Sequence, residues 1–298
     1  MSNIISPSIV KEVYKKRLRS AKKYDHGLVI VIGGSKIYTG SPTLSALAAL
    51  RAGADIAQVV APQRVADISA GYSPDIITFP LEGNFISPAH LAEILTVIKI
   101  GEDVSHGNIA VVIGGGLGRD EETKKAIRSL VERTSAPMVV DADAIYAFEK
   151  EKRTSFVSNI ADKNIIFTPH LYEFFILSGK NIKNLHQEER LTEVKKTATE
   201  INSTILVKGK IDYVSDGVEA KKNIINVPYM TVGGTGDVLA GITGSLLARK
   251  CSPFTAACGA VVVNTLAGEM AANITGEGMI ATDVLNEIPK VIKNQTEN

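Results

Sequence analysis

The stretch Val232-Gly233-Gly234-Thr235-Gly236-Asp237-Val238-Leu239-Ala240-Gly241 is a glycine-rich loop that runs directly into an uncharged helical segment. Glycines let backbone amides turn toward one point, and the N-terminus of a helix adds positive charge there. The stretch therefore predicts a seat for a phosphate or another developing anion. Asp237 would repel a phosphate unless it accepts a proton from a hydroxyl that attacks a phosphoryl group. The alternative is a glycine-rich turn in which Asp237 only caps the helix.

Upstream of this loop, short β-branched runs alternate with longer helical patterns, which predicts an α/β fold with a parallel sheet. The predicted strands cover residues 28–32, 56–60, 76–79, 109–113, 138–141, 164–167 and 204–207. The predicted helices cover residues 42–52, 88–100, 121–134 and 188–201, and two long helices near residues 237–249 and 253–273 close the chain. Residues 211–214 and 223–227 flank the turn dipeptide Asp216-Gly217 and predict an antiparallel hairpin at one edge of the sheet. We expect residues 1–298 to form one domain, because the sequence shows neither a linker nor a repeat.

The composition indicates an ordinary soluble protein with a sizeable core, since 45% of the 298 residues are hydrophobic and 22% are charged. A net charge of +1 gives no general reason to expect nucleic acid or an anionic membrane as a partner. Cys251 and Cys258 fit neither a disulfide framework nor a zinc pattern, and we expect buried thiols in a reducing compartment. The five histidines are scattered, which disfavours a dedicated transition-metal site.

A basic segment near the N-terminus and an uncharged segment in the last fifth of the chain raise questions about targeting and membrane insertion. Residues 1–24 lack the apolar core of a secretory signal but include a basic segment at residues 15–23. We expect a basic N-terminal helix within residues 1–25 that packs on the domain, with phosphate steering as the alternative role. Residues 251–268 carry no charge and are long enough to raise the question of a membrane span. Their small residues favour a core helix, so the prediction is a cytoplasmic protein without a membrane partner.

Further polar and glycine-rich segments follow the predicted strands, and ligands of open α/β sheets bind at those carboxyl ends. Ser41 follows Gly33-Gly34 at the start of a helix, and glycines at 114–116 and 118 would let a flat ligand approach the backbone closely. The glycine spacing does not match the usual dinucleotide fingerprint.

Charged residues appear at three other strand ends. Glu173 follows His170 by three residues at the opening of a helix, where it would support Mg²⁺ near phosphates or complete a capping box. Lys208 would neutralise a phosphate, or it is simply a surface charge. Asp141 and Asp143 would support a metal or a ligand, or cap the following helix.

In this order the motifs resemble those of the ribokinase-like superfamily, and within it the ADP/ATP-dependent NAD(P)H-hydrate dehydratase family. Thr168-Pro169-His170-x-x-Glu173 and Gly234-Thr235-Gly236-Asp237 carry the resemblance, together with the early Gly-Gly-Ser…Tyr-x-Gly-Ser-Pro and the Asp-Ala-Asp. It extends from about Gly27 to the last helix. The implied fold is a three-layer α/β sandwich whose mostly parallel central sheet ends in an antiparallel hairpin.

The chain also departs from the family pattern. Ser41 replaces a common alanine, Gly115 replaces the proline of Gly-Pro-Gly-Leu-Gly, and Leu171-Tyr172 replaces a common Pro-Gly. Backbone contacts should survive these changes, whereas nucleotide preference is open. The epimerase domain that is fused to some family members has no counterpart here, so epimerisation would need a separate protein.

The resemblance implies a hydro-lyase of metabolite repair that converts hydrated NADH or NADPH (NADHX or NADPHX) back to the reduced cofactor. ADP or ATP would phosphorylate the ring hydroxyl in the presence of Mg²⁺, and phosphate would then leave. The implied catalytic residues are the base Asp237 and the amides of Gly234, Thr235 and Gly236. The implied substrate contacts are Ser41, Gly116, Gly118 and His170 beside Asp237. The nucleotide would lie over Lys208, Gly209, Lys210, Ile211, Asp212 and Gly236, and Glu173 or Asp141 would support the metal.

Two other functions remain open on the sequence. A kinase of a small alcohol, such as a thiazole or pyrimidine vitamin precursor, would use the same Asp237 and the same anion seat. A nucleotide-binding protein that has lost catalysis is the other alternative. The small-residue helices also make a homo-oligomer plausible.

Overall fold

A central sheet organises the computed structural model, which describes residues 3–152, 160 and 163–297. Within the described residues the sheet has nine strands in the order β3-β2-β1-β4-β5-β6-β7-β8-β9. The strands are β1 (Leu28–Ile32), β2 (Ile56–Pro62), β3 (Ile76–Leu81), β4 (Ile109–Ile113), β5 (Met138–Val140), β6 (Ile165–Phe167), β7 (Thr204–Val207), β8 (Asp212–Ser215) and β9 (Ala220–Asn223). Strands β1 to β7 are all parallel to one another, whereas β8 pairs antiparallel with both β7 and β9. The predicted α/β class and the antiparallel edge are confirmed.

Helices cover both faces of the sheet. They are α1 (Ile9–Val13), α2 (Ser41–Arg51), α3 (Gln63–Tyr72), α4 (Leu91–Val104), α5 (Glu121–Arg133), α6 (Leu171–Ser178), α7 (Gln187–Ile201), α8 (Thr235–Ala248), α9 (Pro253–Thr275) and α10 (Ala281–Glu297). Successive strand residues point to opposite faces, so Val29 packs among α2, α8 and α9 while Ile30 packs among α4 and α5. The inner strands are apolar throughout because both faces are buried.

The antiparallel edge differs from its prediction in one strand. The second strand of the hairpin is β9 at Ala220–Asn223, whereas residues 223–227 were predicted. The Asp216 amide donates to the Glu219 carbonyl, and this tight turn pairs Ser215 with Ala220 at once. The strand therefore begins earlier than the apolar residues after it suggest.

The N-terminal segment corrects the prediction of a basic helix within residues 1–25. Helix α1 ends at Val13, and Tyr14 leaves the helical region with φ −112° and ψ 81° as its ring becomes buried. Arg17 then donates to Asp55 and to the Gly53 carbonyl. The segment does pack on the domain, but the basic residues at positions 15–23 lie beyond the helix.

The C-terminal helices follow the sequence prediction only in part. The apolar segment 253–278 has the length and mean hydropathy of a membrane span, yet 78% of its 18-residue apolar window is buried in the fold. The prediction of a core helix at α9 is therefore confirmed. A further helix, α10, was not predicted, although Val284, Ile288 and Val291 recur at helical spacing on its buried face. Pro289 inside α10 weakened that signal.

Candidate active site

Asp237 lies in the first turn of α8, directly after the glycine-rich loop. Gly234 caps this helix with φ +94°, a left-handed conformation that glycine adopts at little cost. A Cβ atom on Gly115 would lie 2.6 Å from Asp237 Oδ1 and 2.8 Å from Ser41 Cβ. The loops after β1 and β4 therefore close around the carboxylate of Asp237, and the missing side chain of Gly115 makes room for it.

The surroundings of Asp237 hold its backbone and change its acidity. Ser45 Oγ donates to the Asp237 carbonyl oxygen at 2.9 Å. Burial raises the pKa of Asp237 to about 6, and the nearby Asp141 carboxylate adds to the effect. A hydrogen bond from Ser41 and the charge of Lys208 oppose it. A carboxylate with this pKa is suited to accept a proton near neutral pH.

Two glycine-rich loops form the floor of the site. The Gly34 amide donates to the Gly115 carbonyl at 2.8 Å, which ties the loop after β1 to the loop after β4. A Cβ on Gly116 would lie 2.8 Å from Tyr38 Cβ, so these two backbones also approach closely. Tyr38 itself is exposed beside this floor. The predicted substrate residues Ser41 and Gly116 are thus brought together with Asp237.

Lys208 links the carboxyl end of β7 to the start of α8. Its Nζ atom lies 2.6 Å from Asp141 Oδ1, which also accepts the Thr168 hydroxyl at 2.6 Å. A Cβ on Gly236 would lie 3.4 Å from the same Nζ atom. Burial opposes the charge of Lys208, but attraction to Asp141 and Glu173 outweighs it and raises the lysine pKa. A fixed cation therefore stands beside the amides of the first turn of α8, which have no acceptor within the helix.

His170 and Glu173 form the capping box that the sequence allowed as the structural alternative. His170 Nδ1 accepts the amides of Tyr172 and Glu173 at 3.1 and 3.2 Å, and the Glu173 carboxylate accepts the His170 amide at 2.8 Å. His170 Nε2 lies 3.3 Å from Glu173 Oε1, and half of the imidazole remains exposed. Burial raises the pKa of Glu173 to about 7, with Lys208 opposing and Asp141 contributing. His170 can therefore meet a ligand while it caps α6.

The predicted nucleotide segment forms the turn between β7 and β8. The Gly209 amide donates to Asp212 Oδ1 at 3.0 Å, and Asn223 Nδ2 donates to Asp212 Oδ2 at 3.1 Å. Burial raises the pKa of Asp212 to about 6. The Asp212 carboxylate braces the turn, Lys210 is exposed, and Ile211 packs partly buried against the core.

Two more predicted residues use their polar groups within the protein. The Thr235 hydroxyl donates to the carbonyls of Met230 and Val232, at 2.9 and 3.1 Å. The Gly118 amide donates to Asp143 Oδ2 at 3.0 Å. Thr235 therefore offers a ligand only its amide, and the Gly118 amide already has an acceptor.

Arg119 is a site residue that the sequence did not indicate. Its Nε atom donates to Asp143 Oδ1 at 2.8 Å, and its guanidinium lies 3.9 Å from the centroid of the Tyr146 ring. A single arginine after a glycine loop carries no sequence signal. Only the folded chain places it against Asp143 and Tyr146.

The carboxylates near the site fit a shared magnesium site rather than a closed cage. Among the described residues, no group of three or more His, Cys, Asp and Glu side chains is placed to hold a metal. Asp141 and Glu173 lie close enough for the charge of Asp141 to raise the pKa of Glu173. One or two carboxylates together with phosphate oxygens are the usual protein ligands of Mg²⁺.

A family model described as NAD(P)H-hydrate dehydratase matches residues 29–290, and these residues include every part of the site described above. The chain belongs to this family. It is 40% identical over 292 residues to the bifunctional NAD(P)H-hydrate repair enzyme Nnr of Pyrobaculum aerophilum, across 97% of this chain but 55% of that relative. It is 34% identical to the ADP-dependent (S)-NAD(P)H-hydrate dehydratase of Cenarchaeum symbiosum, across 98% of this chain and 97% of the relative. The chain thus spans about half of the bifunctional members of the dehydratase family and nearly all of the second relative.

Several solved structures have the same fold as this chain. The ADP/ATP-dependent NAD(P)H-hydrate dehydratase of Bacillus subtilis, co-crystallised with ATP and Mg²⁺, superposes with a TM-score of 0.78 over 98% of both chains, at 20% identity. A ribokinase-like superfamily protein of Enterococcus faecalis also gives a TM-score of 0.78, at 21% identity, over 99% of this chain and 96% of that one. The predicted ribokinase-like fold is confirmed.

Proposed function

We propose that the chain dehydrates NADHX and NADPHX to NADH and NADPH, with ADP or ATP as the phosphoryl donor. The observation that carries this proposal is the position of Asp237, whose pKa is raised to about 6 beside the first-turn amides of α8 and the Lys208 ammonium. A base, an anion seat and a fixed cation are the parts that phosphoryl transfer to a hydroxyl requires. Membership of the dehydratase family supports the choice of substrate.

In the proposed mechanism, Asp237 accepts the proton of the ring hydroxyl as its oxygen attacks the terminal phosphoryl group of the nucleotide. The amides of Gly234, Thr235 and Gly236 and the Lys208 ammonium stabilise the charge on the transferring group. The lone pair of the ring nitrogen then expels phosphate from the adjacent carbon. Loss of a proton from the neighbouring ring carbon restores the dihydropyridine.

The predicted binding roles follow the same geometry. The hydrate would contact Ser41, Gly116 and the exposed side of His170, while the nucleotide would lie along residues 208–212 and against Gly236. Mg²⁺ held by Glu173 or Asp141 together with the phosphates would neutralise phosphate charge.

The cellular setting is also part of the proposal. We infer a cytoplasmic metabolite-repair enzyme that acts on small molecules as a homo-oligomer. The chain spans about half the length of the bifunctional relatives, and we infer that an epimerase activity supplies the reactive hydrate epimer.

The test is a reaction of the purified chain with NADHX, Mg²⁺ and either ADP or ATP. We expect the absorbance of the reduced nicotinamide and the free phosphate to rise together, and only with nucleotide. The nucleotide that supports the faster reaction is the preferred phosphoryl donor. A stable phosphorylated product without free phosphate would instead identify a kinase, and a folded, nucleotide-binding chain without turnover would refute the catalytic proposal.

A further inference from the structure

A cavity of about 700 Å³ lies between the N-terminal segment and the C-terminal end of α8. Its volume is in the range of small-molecule sites. Residues 238–248 of α8 separate this cavity from Asp237, and the 12 steps from Asp237 to Arg249 span about 18 Å along a helix. The cavity is therefore distinct from the candidate active site, although one helix contributes to both.

Four of the fourteen residues that line the cavity are basic. Lys15 and Lys16 of the basic segment face Arg249 and Lys250, which follow the end of α8. Two carboxylates, Glu12 and Asp25, also line it, together with His26. Asp25 already accepts the Lys22 amide at 2.7 Å. The basic side chains thus outnumber the acidic ones by four to two, and one of the two carboxylates is engaged elsewhere.

Arg249, which lines this cavity, has a buried N–H group without an acceptor among the described residues. Arg249 donates to the Gly53 carbonyl at 3.3 Å and lies 5.2 Å from the centroid of the Tyr14 ring, but its buried Nε atom has no hydrogen-bond acceptor among the described residues. Burial lowers the pKa of Arg249, and the neighbouring Arg17 adds to the effect. Helix α9 also begins here, where Ser252 caps the Thr255 amide. A bound anion would pair with the charge of the guanidinium and complement the helix N-terminus.

Lys250 provides a second, independent observation. It adopts φ +64°, directly after the C-cap of α8, a position where glycine is strongly preferred. The Lys250 amide donates to the Leu247 carbonyl and the Cys251 amide to the Leu246 carbonyl, so the backbone bonds suit glycine equally well. A lysine here carries backbone strain that its exposed side chain does not relieve by packing. Its contribution is the charge that it brings to the cavity.

We propose that this cavity binds a phosphorylated small molecule at a site separate from the candidate active site. Lys15, Lys16, Arg249 and Lys250 provide the charge, and the cavity volume admits a ligand larger than a lone phosphate. This assignment gives a function to the basic segment, which has no role in the proposed catalysis.

Equilibrium dialysis of the full chain against labelled pyrophosphate at physiological salt tests this proposal, since salt suppresses binding to scattered surface charges. Charge-assisted contacts are strong, so we expect Lys15→Gln combined with Lys250→Gln to weaken one class of saturable binding by about tenfold or more. Lys125→Gln removes an exposed lysine of α5 that pairs with Glu122, and it should leave binding unchanged.

A second variant keeps the test valid if the double substitution unfolds. Lys250→Gly suits the left-handed backbone, so its melting temperature should equal or exceed that of the native chain while its pyrophosphate binding falls. Absence of saturable binding to the native chain, or equal binding by the native chain and the folded variants, would overturn the proposal.

Discussion

Asp237 is a residue whose acidity and position both follow from its neighbours. We expect Asp237→Asn to lower turnover by about 10² to 10⁴-fold, because the amide cannot take the proton that general base catalysis removes. The isosteric side chain should leave nucleotide affinity unchanged in calorimetric titration. Asp103→Asn, at an exposed position of α4, is the matched control and should keep full turnover. Turnover that survives Asp237→Asn would remove this residue from the mechanism.

Ser41 tunes the acidity of Asp237. Its hydrogen bond favours the ionised carboxylate, so Ser41→Ala should raise the pKa of Asp237 further above its ordinary value. The base must be deprotonated, so activity falls as pH drops through about 6 in the native chain and at a higher pH in the variant. The profile of kcat/KM against pH measures this shift, and Ser35→Ala in the same loop is the control. An acid limb that stays in place would show that Ser41 does not act on Asp237.

Because Gly115 has no side chain, it leaves room for the Asp237 carboxylate. Gly115→Ala places a Cβ 2.6 Å from Asp237 Oδ1 and must displace the carboxylate, so we expect turnover to fall at least about tenfold. Gly40→Ala is the matched control, since a Cβ there has no heavy atom within 4 Å. Comparable turnover of the two variants would contradict the packing described for the site.

The sequence predicts the backbone conformation of this site better than its side-chain hydrogen bonds and ion pairs. Glycine spacing before Asp237 is a local signal, because the backbone geometry that it permits depends on adjacent residues only. The ion pair between Lys208 and Asp141 joins residues 67 positions apart, so only the pairing of β5 through β7 creates it. For the same reason the bracing role of Asp212 appears only when Asn223 is in place.

At the scale of elements, the contact between α2 and α8 positions Ser41 and Asp237 relative to each other. A Cβ on Gly241 would collide with the Ser45 carbonyl oxygen, so Gly241→Ala must push the helices apart and should destabilise the fold by about 1–3 kcal/mol. Gly71→Ala in α3 meets no atom within 4 Å and should be neutral or stabilise the fold by up to about 1 kcal/mol. Chemical denaturation measures both changes, and equal effects would mean that the helices have room to adjust.

Elements were predictable where one periodic pattern dominated. Apolar runs predicted buried strands such as β1 and β4, and an amphipathic pattern predicted α5. Helix α10 contains Pro289, and β9 is a short, partly buried strand with two lysines, so neither has a clear sequence pattern. At the N-terminus the helical spacing continued past Val13, but burial of Tyr14 ended the helix there.

At the scale of the whole molecule, the N-terminal residues close the antiparallel edge of the sheet. Ile5 donates its amide to the Lys222 carbonyl at 2.9 Å and is 4% exposed, whereas Ile4 is 42% exposed. Ile5→Ala should therefore cost about 2–5 kcal/mol, the usual cost of such a core truncation, and Ile4→Ala much less. Thermal melting of the two variants checks this prediction, and equal melting temperatures would mean that the N-terminus contributes little to stability.

This closure also sets an order of events during synthesis. The Lys222 amide donates to the Asn3 carbonyl at 2.7 Å, so Asn3 bonds to a strand that is translated much later than Asn3 itself. Contacts of such long sequence separation form late, because the chain between them must first be ordered. Residues 3–5 consequently remain without their strand partner while the chain up to β9 is translated. The newborn chain is most exposed to proteases and to association with its neighbours in that interval.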